Sequence, residues 1–342
     1  MLVWFAFVAL ILLLLATDLG LFHRKAHVVS AREGLAWSIV WTTLALTFGV
    51  FVYFAYDYKW LGLGLLPDPI EQSVAAPHGV PLDGRAAVIK YLSGYVVEQS
   101  LSVDNMFVMA MLFKSFAVPA VYQHRVLYWG ILGALAMRGV MIAIGATLIG
   151  QYAWILYVFG AFLIFTAVKM MLIDTEHQEP HKNLIVRLTR RYFPVTRKHH
   201  GEHFIIRRRG HVLLTPLALA LVMVETTDLM FAVDSIPAIF AITADPFLVF
   251  ASNAFALLGL RSLYFVLASA LRAFRYLKVS LAIVLGMVGT KMIAHDWLKE
   301  QLGEAFNLYV LGAIVAILTG GALLSLLITV ADEPARTSRE RA

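Results

Sequence analysis

Apolar runs long enough to cross a bilayer recur along the chain, separated by short charged segments. They predict about nine transmembrane helices, at roughly 2–22, 34–56, 86–113, 126–148, 152–173, 212–241, 247–271, 277–297 and 306–330. The first run has no basic residue before it and meets Arg24 and Lys25 only after it. A secretory signal has the reverse arrangement, so a retained span is expected.

Charge in the connections sets the orientation. With the N-terminus outside, the segments 23–33, 114–125, 174–211 and 272–278 and the tail 331–342 are cytoplasmic; the four segments are basic on balance, and the tail balances three arginines against three acids. The opposite connections, 57–85, 243–246 and 296–304, are mixed or acidic. This is the positive-inside pattern and predicts N-out, C-in. The segment 174–211 carries nine Lys and Arg against Asp174, Glu176, Glu179 and Glu202. It divides the chain into two halves.

The halves resemble each other. Asp104-Asn105 corresponds to Asp234-Ser235, and six residues before each aspartate stands another acid, Glu98 or Asp228. Arg138 matches Arg261, and Lys169 matches Lys291, at separations of 31 and 30 residues. Each unit, about 86–173 and about 212–297, holds three spans. An odd number of spans turns the second unit over, which predicts an inverted repeat with a site between the units.

Composition fits a membrane protein. The chain is 60% hydrophobic and 15% charged, with mean hydropathy +0.77. Cysteine is absent, so a metal would be held by oxygen or histidine nitrogen. The net charge of +6 lies in loops beside the spans, which points to membrane lipid and makes nucleic acid an unsuitable partner.

Against this apolar background, five acids within spans need an explanation: Glu98, Asp104, Glu225, Asp228 and Asp234. A carboxylate near the centre of a membrane helix costs about 2.5–3.5 kcal/mol on insertion scales. A cation site built from both units is expected, with Glu98, Asp104 and Asn105 facing Glu225, Asp228 and Asp234. In straight helices residues six apart do not share a face. Pro237 beside Asp234, and Ser100 and Ser102 in the first unit, therefore suggest interrupted helices. Ser235 is a neutral ligand or support. The competing account pairs the acids with Arg138, Arg261, Lys169 and Lys291 to hold the bundle together, and the two lysines could instead snorkel.

An oxygen-only donor set favours Mn²⁺, Mg²⁺ or Ca²⁺. Met106, Met109, Met111, Met223 and Met230 could add a thioether, although packing is their commoner use. Asp18 is expected to form an interfacial ion pair near His23-Arg24-Lys25, or to act as a gate. The histidines at 177, 181, 199, 200, 203 and 211 sit in the basic loop, which is expected to be solvated against anionic lipid. Gly312, Ala316 and Gly320 form a small-residue stripe suited to close packing within the chain.

The stretches Glu98–Phe107, Thr215–Glu225 and Asp228–Thr243, then Ser252-Asn253, Leu258–Phe265 and Lys291-Met292, resemble the TerC family of integral membrane proteins, in particular its Alx-like branch. The likeness runs over about 1–330. It implies a multi-pass bacterial inner-membrane protein associated with manganese export, whose intramembrane acids carry the ion. The family name adds a link to tellurium-resistance operons. The acidic motifs show no departure, whereas the histidine-rich loop is not carried over.

The reading is a secondary transporter exporting Mn²⁺ or a related divalent cation by alternating access, with protonation of the acids as one means of release. The alternative is a metal-binding membrane scaffold or stress-response protein that recruits partners through 174–211. No nucleotide loop, nucleophile elbow or cofactor motif supports an enzyme.

Overall fold

Local sequence sets where the helices begin. Ser30 caps α2 (Ala31–Asp57), its Oγ accepting from Glu33 N at 3.2 Å. Asp83 caps α3 (Gly84–Ser115), accepting from Ala86 N at 2.7 Å. Thr215, followed by Pro216 at the first helical position, caps α6 (Pro216–Phe240). The remaining helices are α1 (Leu2–Thr17), α4 (Ala120–Gln151), α5 (Ile155–Leu172), α7 (Pro246–Ser269), α8 (Leu277–Ile293), α9 (His295–Leu302) and α10 (Phe306–Arg339). This computed structural model describes residues 2–18, 30–68, 70, 81–152, 154–172, 189, 191, 193–196, 201–208, 211–269, 277–302 and 306–339.

Seven of these helices are long and apolar enough to cross a membrane: α2, α3, α4, α5, α6, α7 and α10. The chain is a multi-pass membrane protein, helical among the described residues apart from a short hairpin and two isolated bridges. Two of the nine expected spans fall short of that standard. Helix α1 is apolar but has 16 residues before the undescribed 19–29. The run 277–297 stops as α8 at Ile293, and the polar α9 takes over. The expected span 212–241 also starts later, because His211–Leu214 pairs as strand β2 with β1 (Ile205–Arg208). The expected tail continues α10 as helix to Arg339.

Helix α7 lies at the centre, packed on α1, α2, α3 and α4. An aromatic cluster fills the junction: Phe7 meets Phe48, Phe247 and Phe250, and Phe48 meets Phe255 with ring centres 4.7 Å apart. Glycine contacts fix the helix directions. Gly94 meets Ser252, and Gly259 meets Gln99, so α3 and α7 run in the same direction. Gly130 meets Val224, and Gly145 meets Phe240, so α4 and α6 do likewise. Helices α5 and α8 run oppositely and cross where Gly160 and Gly289 touch backbone to backbone. A Cβ on either glycine would lie 3.0 or 2.8 Å from the other's carbonyl oxygen. That crossing is the close helix contact expected of Gly312 and Gly320, where an added Cβ would meet nothing within 4 Å among the described residues.

Helices α3 and α6 are continuous through their acidic motifs. The expected interruption at Pro237 does not occur. This proline stands in the last turn of α6, where one missing N–H costs little before the helix ends.

Candidate metal centre

Because α3 and α6 are unbroken, helical periodicity alone decides which side chains meet. Positions seven apart differ by only about 20° around the axis. Glu98, Ser102 and Asn105 therefore share a face of α3, and Asp228 and Ser235 share a face of α6. These faces meet, and Arg138 of α4 projects between them.

The Arg138 guanidinium, 2% exposed, joins four helices. Its Nη1 donates to Glu98 Oε1 in a short contact, to Asn253 Oδ1 at 2.9 Å and to Ser235 Oγ at 3.5 Å. Its Nη2 donates to Asp228 Oδ1 at 3.2 Å, and its Nε to Asp228 Oδ2 at 3.4 Å. Asn105 Nδ2 donates to the same Asp228 Oδ1 at 3.0 Å, and Ser102 Oγ to Glu98 Oε1 at 3.5 Å. Glu98 and Asp228, 1% and 2% exposed, thus share one cation. Glu98 Oε2 and Asn105 Oδ1 are buried without a hydrogen-bond partner among the described residues. Buried oxygens of this kind are costly unless something fills them.

The other candidates lie apart. Asp234 turns toward α5, where Thr166 Oγ1 donates to it at 3.4 Å and Lys169 supplies the neighbouring charge. Glu225 lies one turn before Asp228, its carboxylate packed on Gly133 of α4 where a Cβ would collide with it. Its Oε2 is likewise buried and unpartnered among the described residues. The side chain of Asp104 lies outside the described part of the structure. Ser100 bonds back to Val96 O at 2.7 Å and lines a cavity of about 220 Å³ toward α10. Among the described residues, no three acids or histidines come together as a ready metal cage.

Asp18 and Arg261 form a buried pair at 2.6 Å between α7 and the end of α1. Asp18 is buried where α1 packs on α7 and meets Arg261 there; residues 23–25, beside which an interfacial pair is expected, lie outside the described residues. Lys291 is buried too, its Nζ 3.3 Å from Asn307 Oδ1 and 5.2 Å from the centre of the Phe306 ring. Met106, Met109 and Met223 fill an apolar cluster with Leu217 and Tyr264, whereas Met111 and Met230 face outward. Of the loop histidines, 177, 181, 199 and 200 lie outside the described residues. His203 gives its carbonyl to Thr215 Oγ1, and Arg125 of α4 pairs with Glu202 in the same segment.

Sequence reasoning missed two features. Asn253 is a neutral acceptor for Arg138 alongside Ser235, and its signal was a polar pair, Ser252-Asn253, inside an apolar run. The second is a separate polar knot around Asp68. Lys90 Nζ, fully buried, donates to Asp68 Oδ2 at 2.9 Å. Thr243 Oγ1, Ala244 N and Ile70 N also donate to the same carboxylate. Beside it Asp245 caps α7, accepting from Phe247 N at 2.9 Å and Leu248 N at 3.1 Å.

Burial, followed by the nearby Asp68 charge, pushes the Asp245 carboxyl above its ordinary range against the pull of those N–H groups. A raised carboxyl favours folding most below its unfolded pKa and loses that contribution as pH rises through its folded value. Asp245→Asn keeps an acceptor for the cap and removes the charge. It should unfold at a higher temperature than wild type at neutral pH, by about 1.4 kcal/mol per unit of displacement. The gain should vanish as pH falls below the carboxylate range. Thermal melts across pH in detergent test this, and an Asn variant weaker at neutral pH refutes it.

A multi-pass helical membrane protein with a carboxylate–arginine centre joining four of its helices is the class these features define. The chain belongs to the Integral membrane protein TerC family, matching it over residues 83–333. It is 46% identical over 296 residues to the "Uncharacterized membrane protein STKORF319" of Myxococcus xanthus, covering 86% of this chain and 84% of that protein. It is 42% identical over 319 residues to the "Putative membrane-bound redox modulator Alx" of Escherichia coli K12, covering 92% and 94%. An "Uncharacterized membrane protein" of Rickettsia bellii is 35% identical over 319 residues, covering 92% and 97%. No solved structure matches the chain.

Proposed function

We propose that this protein is a secondary transporter, not an enzyme, that exports a divalent cation, Mn²⁺ foremost, across the bacterial inner membrane. The carrying observation is the buried Glu98–Arg138–Asp228 centre, where oxygens of Glu98 and Asn105, and of Glu225 one turn away, have no hydrogen-bond partner among the described residues. Intramembrane acids of this kind mark ion pathways. The helix directions support an inverted repeat of α3–α5 and α6–α8. Exchanging the two triplets maps the α3–α7 contact onto the α6–α4 contact, both with helices running the same way, and leaves the α5–α8 crossing antiparallel. Under this reading the N-terminus is outside, Glu98, Asn105 and Asp228 bind the ion, and Asp104, Glu225 and Asp234 complete its path.

The redox name borne by the Escherichia coli relative is compatible with this reading. A chain without cysteine does not act by thiol–disulfide exchange, but one that moves a redox-active metal alters redox balance. The test is Mn²⁺ flux into inside-out proteoliposomes, with and without an imposed pH gradient. Wild type should transport, and Asp104→Asn and Asp228→Asn, folded, should fall by at least about tenfold. Mn²⁺ binding without flux above empty vesicles would favour a metal-dependent scaffold.

A further inference from the structure

The centre contains a cation already, and it is part of the chain. Glu98 and Asp228 carry two negative charges and Arg138 one positive. A divalent ion added beside Arg138 would give these three groups a net positive charge that a further carboxylate must balance. The same ion with the guanidinium gone would leave the two acids neutralised. Both cations also need the same oxygens, since Asp228 already gives one to Nη2 and the other to Nε.

A further buried carboxylate stands one turn from Asp228. With Gly130 beside Val224 and Gly145 beside Phe240, Asp228 lies level with residue 134 of α4, not with 138. Arg138 therefore already reaches back about one turn, as helical side chains lean toward the N-terminus. Glu225 lies against Gly133 at nearly that level, with a buried oxygen lacking a partner among the described residues. The glycine is what admits its carboxylate there.

We propose that Arg138 is a tethered counter-ion, which holds Glu98 and Asp228 when no ion is bound and moves to Glu225 when a divalent cation takes its place. This rests on the cation-transport reading. Arg138 then sets affinity and release: its return to Glu98 and Asp228 expels the ion, so the empty carrier need not cross its cycle with bare carboxylates.

The probe is Mn²⁺ titrated into the purified full-length protein by calorimetry. Arg138→Gln, which has no charge to displace, should bind Mn²⁺ about tenfold or more tighter than wild type while its flux falls. An arginine that only braced the helices would give weaker binding on removal, so weakened or unchanged affinity in the folded variant overturns the proposal. Glu225→Gln, which removes the acceptor and keeps the volume, gives a second reading should Arg138→Gln not fold. It should bind about tenfold more weakly, and unchanged affinity overturns the switch. Wild type that neither binds nor carries Mn²⁺ overturns the transport reading and this proposal with it. Binding and flux in wild type together with the wrong sign in the variants overturns this proposal alone.

Discussion

Replacing Arg138 with methionine should cost about 3–5 kcal/mol of stability in metal-free detergent. The substitution preserves much of the volume but leaves Glu98 and Asp228, both almost fully buried, without their shared cation. Removing one partner of a buried ion network is far more damaging than removing the whole network. The triple variant Arg138→Met, Glu98→Gln, Asp228→Asn should therefore recover most of the loss. Thermal unfolding of the three proteins side by side decides it. An Arg138→Met protein as stable as wild type would show that the network contributes nothing to holding the helices together.

Lys90→Met should be about as severe, at 3–5 kcal/mol, but without any link to metal. Asp68 would keep Thr243, Ala244 and Ile70 as donors and lose the ammonium that balances it, with the Asp245 carboxyl close by. Asp68 ties the segment after α2 to the start of α3 and to the turn between α6 and α7, so the damage should be local first. Limited proteolysis should cut the 58–83 segment in the variant before any other site. The pairing Lys90→Met with Asp68→Asn should restore part of the stability. Resistance equal to wild type would remove this knot from the list of stabilising features.

The acids were legible in the sequence because a carboxylate in an apolar run is anomalous on its own. Their grouping was also present in the spacing, since Glu98 with Asn105 and Asp228 with Ser235 are seven apart. The expected break at Pro237 hid this by implying that periodicity would fail there. Asp68 and Lys90 were not legible. Asp68 sits in a connection and Lys90 near a helix start, where charges usually meet water, and only the meeting of Asp68 with α3 and with the turn between α6 and α7 buries them. The Asp18–Arg261 pair was hidden for a similar reason: the two stand 243 residues apart, whereas the charge at 23–25 is close in sequence. The small-residue stripe on α10 and the Gly160–Gly289 crossing carry the same signal, and only the packing of helices tells them apart.

Helix α7 has a history that its position imposes. Its membrane window is 83% buried, and its walls, α1 to α4, all precede it in the chain. Synthesis delivers the N-terminal part first, so those walls are already made when α7 leaves the ribosome. Ser252, Asn253, Arg261 and Ser262 then enter a slot where Arg138 and Asp18 await them, and they need not face lipid. A circular permutation that placed α7 ahead of α2 would encode the same contacts yet expose those side chains to the bilayer before most of their partners existed. For this protein the order of translation is part of the solution to burying charge.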